Sequence, residues 1–235
     1  MELDVMIDNE LKEIAEFLLR KENLPFSSGL IDGKMGVVVF YFHYAEYVKD
    51  ETYKEYANSL IEDIQQDLTS NTSLNYNSGL AGIGAAIEYI VQQGFVEADT
   101  DEILSDFDEI FEKFLNDRTL YLSVSDIIDI GKYFQFRFCK KEVNPEIRKT
   151  IERLVYMYSL HMDVRPKYSQ RAVDWLSGFS KKYYSEAITV LLKELSDVSA
   201  EKGFDSSLHS QMKAFTGLDI LSQSDKRHLS WKELL

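Results

Sequence analysis

The chain has little cysteine and little proline. Its 235 residues include one cysteine, Cys139, and three scattered prolines, at Pro25, Pro145 and Pro166. A single cysteine excludes an internal disulfide and is typical of a reducing compartment, so we expect a cytoplasmic location. Because no linker rich in Pro, Gly or Ser interrupts the chain, we predict a single domain over residues 1–235.

Signals for membranes and nucleic acids are also missing. No uncharged apolar run reaches the ~18 residues of a membrane-spanning helix, and the acidic first residues lack the apolar core of a secretion signal. The net charge is -14, whereas binding a phosphate backbone or an anionic lipid requires clustered Lys and Arg. We therefore expect an acidic protein that binds neither nucleic acid nor a membrane. The acidic stretch at residues 97–117 is interpreted as a solvated helix face.

What the chain does contain is a repeated glycine phrase. Residues 29–36 read Gly-Leu-Ile-Asp-Gly-Lys-Met-Gly, and residues 78–84 read Ser-Gly-Leu-Ala-Gly-Ile-Gly. Matching Gly33 with Gly79 gives a shift of 46 residues, and the next pair of glycines gives the same shift. Each phrase leads directly into an apolar stretch, which predicts a repeated structural unit.

Two weaker copies continue the series, at residues 126–131 and 174–179, after spacings of 47 and 48 residues. A fixed period of this size predicts stacked helical hairpins, each preceded by a glycine turn. The predicted units cover residues of about 23–70, 71–117, 118–163 and 164–200, with a capping segment at 201–235.

Two kinds of helix alternate in this prediction. Amphipathic helices, with apolar residues at helical spacing, are predicted at residues 7–19, 53–68, 103–115 and 147–158. Asp99 or Thr100 would cap the third, and Asn144 before Pro145 would cap the fourth. Residues 35–45 and 81–91 are apolar nearly all round, so these helices must be buried on every side. Buried inner helices within a layer of amphipathic outer helices predict an all-α fold, an α/α toroid.

The glycine phrases and the acidic outer helices resemble those of the lanthionine synthetase C-like (lantibiotic cyclase) family. The resemblance covers about residues 28–195. It implies an α/α toroid, which in that family has six or seven hairpins. The cyclase members add cysteine thiols to dehydrated Ser or Thr residues of a precursor peptide.

The sequence departs from that family at the metal site. The resemblance implies one catalytic zinc, held by two cysteines and a histidine in Trp-Cys-x-Gly and Cys-His-Gly contexts, and this chain contains neither motif. Cys139 is interpreted as a packed thiol. His43, inside an apolar helix, is interpreted as a hydrogen-bonded core histidine, and His161, His209 and His228 are isolated. We expect no metal, no cofactor and no zinc-dependent cyclase chemistry, as in a pseudoenzyme.

The number of predicted inner helices, about four, is too small for a full ring, so we predict a partial ring of about four hairpins. An open ring exposes the apolar flanks of its end hairpins. We expect a partner protein, a second copy of the chain in a homodimer, or a terminal segment to cover them. Residues 206–222 have the spacing of a capping helix, and the tail containing Trp231 and Leu234 would add to it.

A candidate ligand site lies where the inner helices begin, because free N–H groups and the helix dipole favour anions there. The side chains predicted at this mouth are Asp32, Lys34, Asn77, Ser78, Asp126, Asp174 and Trp175. A helix cap or turn residue is the favoured interpretation of each of them, and a ligand-binding role is the alternative.

Several functions stay open on the sequence. The leading hypothesis is a non-catalytic protein that binds a peptide or protein partner in a modified-peptide maturation pathway. The alternative is an α/α-toroid enzyme, either cyclase-like or a carbohydrate hydrolase, whose paired carboxylates would come from Asp126, Asp129 and Asp174. A purely structural helical repeat is the third possibility.

Overall fold

The computed structural model describes residues 2–117, 119, 122–138, 145–161, 165–180, 186–199, 213–224, 230–232 and 234–235. Over these residues the chain forms eleven α-helices, a short 3-10 helix at Lys21–Asn23 and a further 3-10 turn at residues 230–232, and no strand. The predicted all-α class is therefore confirmed. The helices are α1 Glu2–Leu18, α2 Lys34–Val48, α3 Thr52–Asp67, α4 Leu80–Gln92, α5 Thr100–Ile103, α6 Ser105–Asn116, α7 Val124–Arg137, α8 Pro145–Ser159, α9 Arg165–Ser180, α10 Glu186–Ser199 and α11 Lys213–Ser224. Within the described part of the chain, none of these helices has the length and hydropathy needed to cross a membrane.

The chain divides into two compact units. Unit 1 consists of Met1–Ser73, Asn77–Glu97 and Ser206–Leu235, and unit 2 consists of Leu74–Tyr76 and Ala98–Asp205. The single domain predicted over residues 1–235 stays a prediction.

Helix α2 is the centre of unit 1. Every residue from Met35 to Ala45 is buried, because α1, α3, α4 and α11 all pack against this helix. A helix that is surrounded by protein has no face in solvent, which explains why α2 is apolar nearly all round. The prediction of a fully buried helix here is confirmed, and α4 is buried in the same way from Leu80 to Ala86.

The outer helices of unit 1 bury one stripe each. Helix α1 buries Leu11, Ile14 and Leu18, and α3 buries Leu60 and Ile64, while their other faces are exposed. The amphipathic spacing read from the sequence therefore describes both helices correctly. The buried Tyr41 on α2 ties the layers together: its hydroxyl donates to the Ala15 carbonyl of α1 at 2.8 Å, and its ring packs edge-on against Tyr56 of α3.

Helix α11 packs against α2 through two contacts, in each of which a glycine of one helix faces a phenylalanine of the other. The Phe215 ring lies against Gly36, and the Phe40 ring lies so close to Gly217 that a Cβ at either glycine would meet the facing ring. Trp231 is buried behind this contact and donates from Nε1 to Ser222 Oγ at 2.7 Å. The described part of the terminal segment therefore packs against α2. Its role as a cap stays a prediction, and residues 206–212 of the predicted capping helix lie outside the described residues.

Unit 2 is built around α7, which contacts α8 and α9. Arg137, at the end of α7, is buried and pairs with Asp108 of α6 at 2.7 Å and with Asp101 of α5 at 3.0 Å. Asp99 caps α5, since its carboxylate accepts from the Asp101 amide at 2.9 Å. The predicted cap at Asn144 and the packed thiol at Cys139 lie outside the described residues, as do His209 and His228.

The third and fourth glycine phrases differ from the first two. Helix α7 begins at Val124 and α9 at Arg165, so Gly131 and Gly178 lie inside helices and not in the turns before them. A Cβ at Gly131 would overlap the Trp175 ring, and one at Gly178 would overlap the Gln135 side chain. These glycines therefore let α7 and α9 approach each other closely.

The α11 contact yields a stability prediction. Replacing Gly217 with Ala should lower the free energy of unfolding by about 1–3 kcal/mol, because the new methyl group overlaps the buried Phe40 ring and outweighs the gain in helix propensity. Urea denaturation followed by circular dichroism measures this. Gln223→Ala, at an exposed position of the same helix, should be neutral or slightly stabilising. Equal stabilities for both variants would show that α11 does not depend on this contact.

Candidate functional site

The two glycine turns of unit 1 pack directly against each other. A Cβ at Gly29 would overlap the backbone of Ser78 and crowd the Asn77 carbonyl oxygen. At the same contact, the Ile31 amide donates to the Asn77 carbonyl at 2.8 Å. Only a residue without a side chain permits this approach at position 29.

The start of α2 is already saturated with hydrogen bonds from its own turn. The donors are the first three amides, with the bonds Lys34 N to Ser27 O at 2.8 Å, Met35 N to Gly29 O at 3.1 Å and Gly36 N to Gly33 O at 3.2 Å. At α4 the first amide, Leu80 N, donates to Ser73 O at 2.8 Å. The sequence predicts free N–H groups for an anion at this mouth, and for these amides the prediction is wrong because the turns fold back over the helix starts.

Side chains link the first turn to the end of α3. Lys34 Nζ lies 2.6 Å from Asp67 Oδ2, and Ser28 Oγ donates to the same oxygen at 3.1 Å. The hydrogen bonds from Lys34 and then Ser28 hold the pKa of Asp67 below its usual value. Since the Asp67 side chain is substantially exposed, the pair adds little to stability. The pair joins the first turn to the end of α3.

A groove of about 820 Å³ lies beside this link. One wall is the segment from Lys21 to Ser28, and the other is α3. Its apolar lining residues are Leu24, Pro25, Phe26, Tyr56, Leu60 and Leu68, and its charged ones are Lys21, Glu22, Lys34, Asp63 and Asp67. The side chain of Phe26 is fully exposed, which is unusual for a residue of this size.

Four of the predicted site residues belong to the turns of unit 1, and two of them line the groove. Lys34 and Ser78 lie in its wall, whereas Asp32 is exposed and receives a long hydrogen bond of 3.4 Å from Ser27. Asn77 contributes to the contact between the two turns through its backbone carbonyl, which accepts from the Ile31 amide. The sequence analysis missed Phe26 and the acidic residues of α3, although Asp63 and Asp67 stand four residues apart, a spacing that places two side chains on one helix face.

Asp126, Asp174 and Trp175 belong to unit 2. Asp126 forms a capping box with Ser123. The Ser123 amide donates to the Asp126 carboxylate at 2.9 Å, and the Asp126 amide donates to the Ser123 hydroxyl at 3.2 Å. Asp174 is an exposed residue in the middle of α9 and accepts from Gln170 at 2.9 Å. Trp175 is completely buried. The sequence places Asp174 and Trp175 at a helix start, but α9 begins nine residues earlier.

Unit 2 also contains a buried charged cluster. Asp129 forms an ion pair with Arg171; burial raises the pKa of Asp129, and the Arg171 charge opposes that shift. Lys132, one helical turn further along α7, lies with its Nζ 4.8 Å from the centre of the Tyr76 ring. Burial lowers the pKa of Lys132 from 10.5 to about 8, and the Arg171 charge acts in the same direction. The sequence analysis named Asp129 but neither of its cationic neighbours.

His43 belongs to a buried polar chain in unit 1. Its Nε2 lies 2.6 Å from Tyr89 Oη, which in turn lies 2.8 Å from Ser230 Oγ. Tyr89 is 46 residues after His43, so these are equivalent positions of adjacent repeats. The interpretation of His43 as a hydrogen-bonded core histidine is confirmed. Among the described residues, no three His, Cys, Asp or Glu side chains are arranged to hold a metal ion.

A comparison with protein families matches residues 25–159 of the chain to the model described as lanthionine synthetase C-like protein. The match begins just before the first glycine turn and extends to the last residue of α8. It includes both turns and most of the residues that line the groove, but Lys21, Glu22 and Leu24 precede it. Neither the curated proteins nor the solved structures contain a significant match to the chain.

The packing of the two turns can be tested at Gly29. Gly29→Ala should lower the free energy of unfolding by about 1–3 kcal/mol, since backbone atoms of Ser78 must move to admit the methyl group. Asp32→Ala, at an exposed position of the same turn, should change it by less than about 0.5 kcal/mol. Thermal and urea unfolding measure both. A Gly29→Ala protein as stable as the parent would contradict the close approach of the turns.

The pKa of Lys132 predicts how stability depends on pH. Between pH 8 and 10.5 the unfolded chain retains a proton on Lys132 that the folded chain has lost, so this residue makes the free energy of unfolding rise with pH. Lys132→Met removes that contribution, and any stability advantage of the variant should shrink across this window. Urea denaturation at several pH values measures the difference. Lys113→Met, at an exposed lysine of α6, controls for the lost surface charge, and parallel profiles for Lys132→Met and the parent would contradict the shift.

Proposed function

Because the chain belongs to the lanthionine synthetase C-like protein family, whose fold is an α/α toroid, we propose that it acts in the maturation of a modified peptide by binding the peptide or a partner protein. In this proposal the chain does not catalyse ring formation, and it works in the cytoplasm. The observation that carries the proposal is the groove of unit 1, with its mixed lining and its exposed Phe26.

The non-catalytic part of the proposal rests on the ligands that zinc requires. A catalytic zinc site needs three protein ligands and one open position, and the cyclases of this family use two cysteines and a histidine. The sequence contains one cysteine, so it cannot provide two thiolates. The residues of this chain therefore do not fit the zinc site of the family's cyclases, and we assign no step of the reaction to them.

The groove has the size and chemistry of a binding site. Ligand sites typically have volumes of about 300–1,000 Å³ and combine apolar walls with a few polar groups. Here the apolar contacts come from Phe26, Tyr56 and Leu60, and the hydroxyl groups come from Ser28 and Ser78. A large aromatic side chain left in solvent beside such a groove is typical of an interaction surface, where a partner recovers its hydrophobic free energy.

The frame around the groove supports binding without rearrangement. One wall is held by the packed glycine turns, and the Lys34–Asp67 pair ties this wall to α3. A preformed site avoids the entropy cost of ordering its own loops when the ligand arrives. The flank of α2 is covered by α11 in the same chain, so a homodimer is not required at that surface. Homodimerisation elsewhere stays a prediction.

The alternative of an α/α-toroid enzyme depends on carboxylates in unit 2. A carbohydrate hydrolase needs two carboxyl groups facing each other across a cleft. Asp126 is used in a capping box and Asp174 is exposed on α9, while Asp129 is paired with Arg171. The raised pKa of Asp129 is the observation that favours this alternative. We place binding first because each of the three carboxylates already has a partner within its own unit.

Peptide display tests the proposal. A library of linear twelve-residue peptides is selected on the full chain, and the selected peptides are labelled and measured by fluorescence anisotropy. Phe26→Ser should weaken binding about tenfold or more, as expected for the loss of a ring that becomes buried on binding. Ile103→Ser, at an exposed apolar residue of α5, should leave the affinity unchanged.

Two results would contradict the proposal. If the display yields no binding peptide, or if Phe26→Ser and Ile103→Ser bind alike, the groove is not the binding site. If the purified protein carries one tightly bound zinc per chain by elemental analysis, the non-catalytic part is wrong.

A further inference from the structure

One face of α3 forms an entire wall of the groove. The residues of this helix that line it are Tyr56, Ser59, Leu60, Asp63 and Asp67. Their spacing follows the helical repeat, so the lining runs along the helix for about 16 Å at a rise of 1.5 Å per residue. An extended peptide advances about 3.3 Å per residue, and the wall therefore accommodates about five residues of such a segment.

The two carboxylates on this wall are in different states. The Lys34 ammonium group compensates the charge of Asp67, which also accepts a hydrogen bond from Ser28. Asp63 has neither a hydrogen bond nor an ion pair with any residue that the structure describes. Lys34, which also lines the groove, forms its ion pair with Asp67. Asp63 therefore contributes an uncompensated negative charge to the groove.

An aromatic ring accompanies this charge. Tyr56, seven residues earlier on the same face of α3, is partly buried in the wall. Burial raises the pKa of Tyr56, the charge of Asp63 raises it further, and both residues line the same groove. A carboxylate beside an aromatic ring suits a guanidinium or ammonium group, because the cation can pair with the first and lie against the second.

The remaining charges of the groove favour the same occupant. Glu22, Asp63 and Asp67 carry three negative charges, and Lys21 and Lys34 carry two positive ones. The whole chain has a net charge of -14. The field at the groove therefore attracts a cationic segment and repels an acidic one. Phe26, which also lines the groove, offers an exposed apolar surface there.

We propose that the groove of unit 1 selects an extended peptide segment in which an arginine or lysine neighbours a bulky apolar residue. Asp63 pairs with the cationic side chain beside the Tyr56 ring, and Phe26 covers the apolar side chain. This inference rests on the proposed function, since it names the peptide chemistry that the same groove reads. Asp63 is the residue that determines charge specificity, and Phe26 contributes affinity for either charge.

Paired synthetic peptides test the charge selection. Two labelled hexapeptides, Gly-Ser-Phe-Arg-Gly-Ser and Gly-Ser-Phe-Glu-Gly-Ser, both amidated and acetylated, are titrated with the full chain in low salt and again in 0.5 M salt. The arginine peptide should bind about five- to tenfold more tightly in low salt, and the difference should shrink in high salt because the pair is partly exposed.

Variants at Asp63 separate charge from folding. Asp63→Asn should abolish the preference for arginine, and Asp63→Lys should reverse it. Glu62→Gln, at the adjacent exposed position that does not line the groove, removes the same charge and should retain the preference. Circular dichroism and thermal unfolding verify that each variant is folded, which we expect because both positions are exposed.

The outcomes separate this inference from the proposed function. If both hexapeptides bind, lose affinity in Phe26→Ser and show no difference between arginine and glutamate, the groove binds peptides and only the charge selection is wrong. If Asp63→Asn keeps the arginine preference, the assignment to Asp63 is wrong. If neither hexapeptide binds and display yields no peptide, the proposed function itself fails.

Discussion

The close approach of backbones and rings at glycine positions is the constraint on which this structure depends. Gly29 lets the two turns of unit 1 touch through their main chains. Two glycines, Gly36 facing Phe215 and Gly217 facing Phe40, let α11 pack against α2. In unit 2, Gly131 admits the Trp175 ring. Each contact lacks space for one methyl group, and tightly packed interiors cannot absorb such an addition without strain.

These contacts also determine what the candidate site can do. The carbonyl groups of the turn before α2 accept hydrogen bonds from the first amides of that helix. These amides are therefore not available to bind an anion, and their hydrogen bonds fix the conformation of the turn. The rigid turn then orients Lys34 and Ser28 toward Asp67 on α3. Compensation of Asp67 leaves Asp63 as the uncompensated charge of the wall, and that difference between two neighbouring carboxylates gives the groove its expected preference for a cation.

Particular residues show how far sequence reasoning reached. The buried α2 and α4, the amphipathic α1 and α3, and the core role of His43 were predictable because burial and helical period act over short stretches of chain. Gly131 and Gly178 were placed in turns because they continue a period, yet they lie inside α7 and α9. A glycine required for turn geometry and a glycine required for helix packing look alike in a sequence. Asp63 and Phe26 were missed because the four-residue spacing of Asp63 and Asp67 is common on exposed helix faces, and nothing near Phe26 in the sequence predicts that its side chain is exposed.

By itself, the sequence determined the helical class, the repeat, the family resemblance and the shortage of thiolates, because composition and periodicity carry these without any contact between distant residues. Only the tertiary structure decided where the groove lies and which of its charges are compensated. Ser28 and Asp67 are 39 residues apart in the chain, and the charge of Asp67 is paired only because folding brings Lys34 to it. The chemistry of the site depends on these contacts between distant residues, and the helical period alone does not specify them.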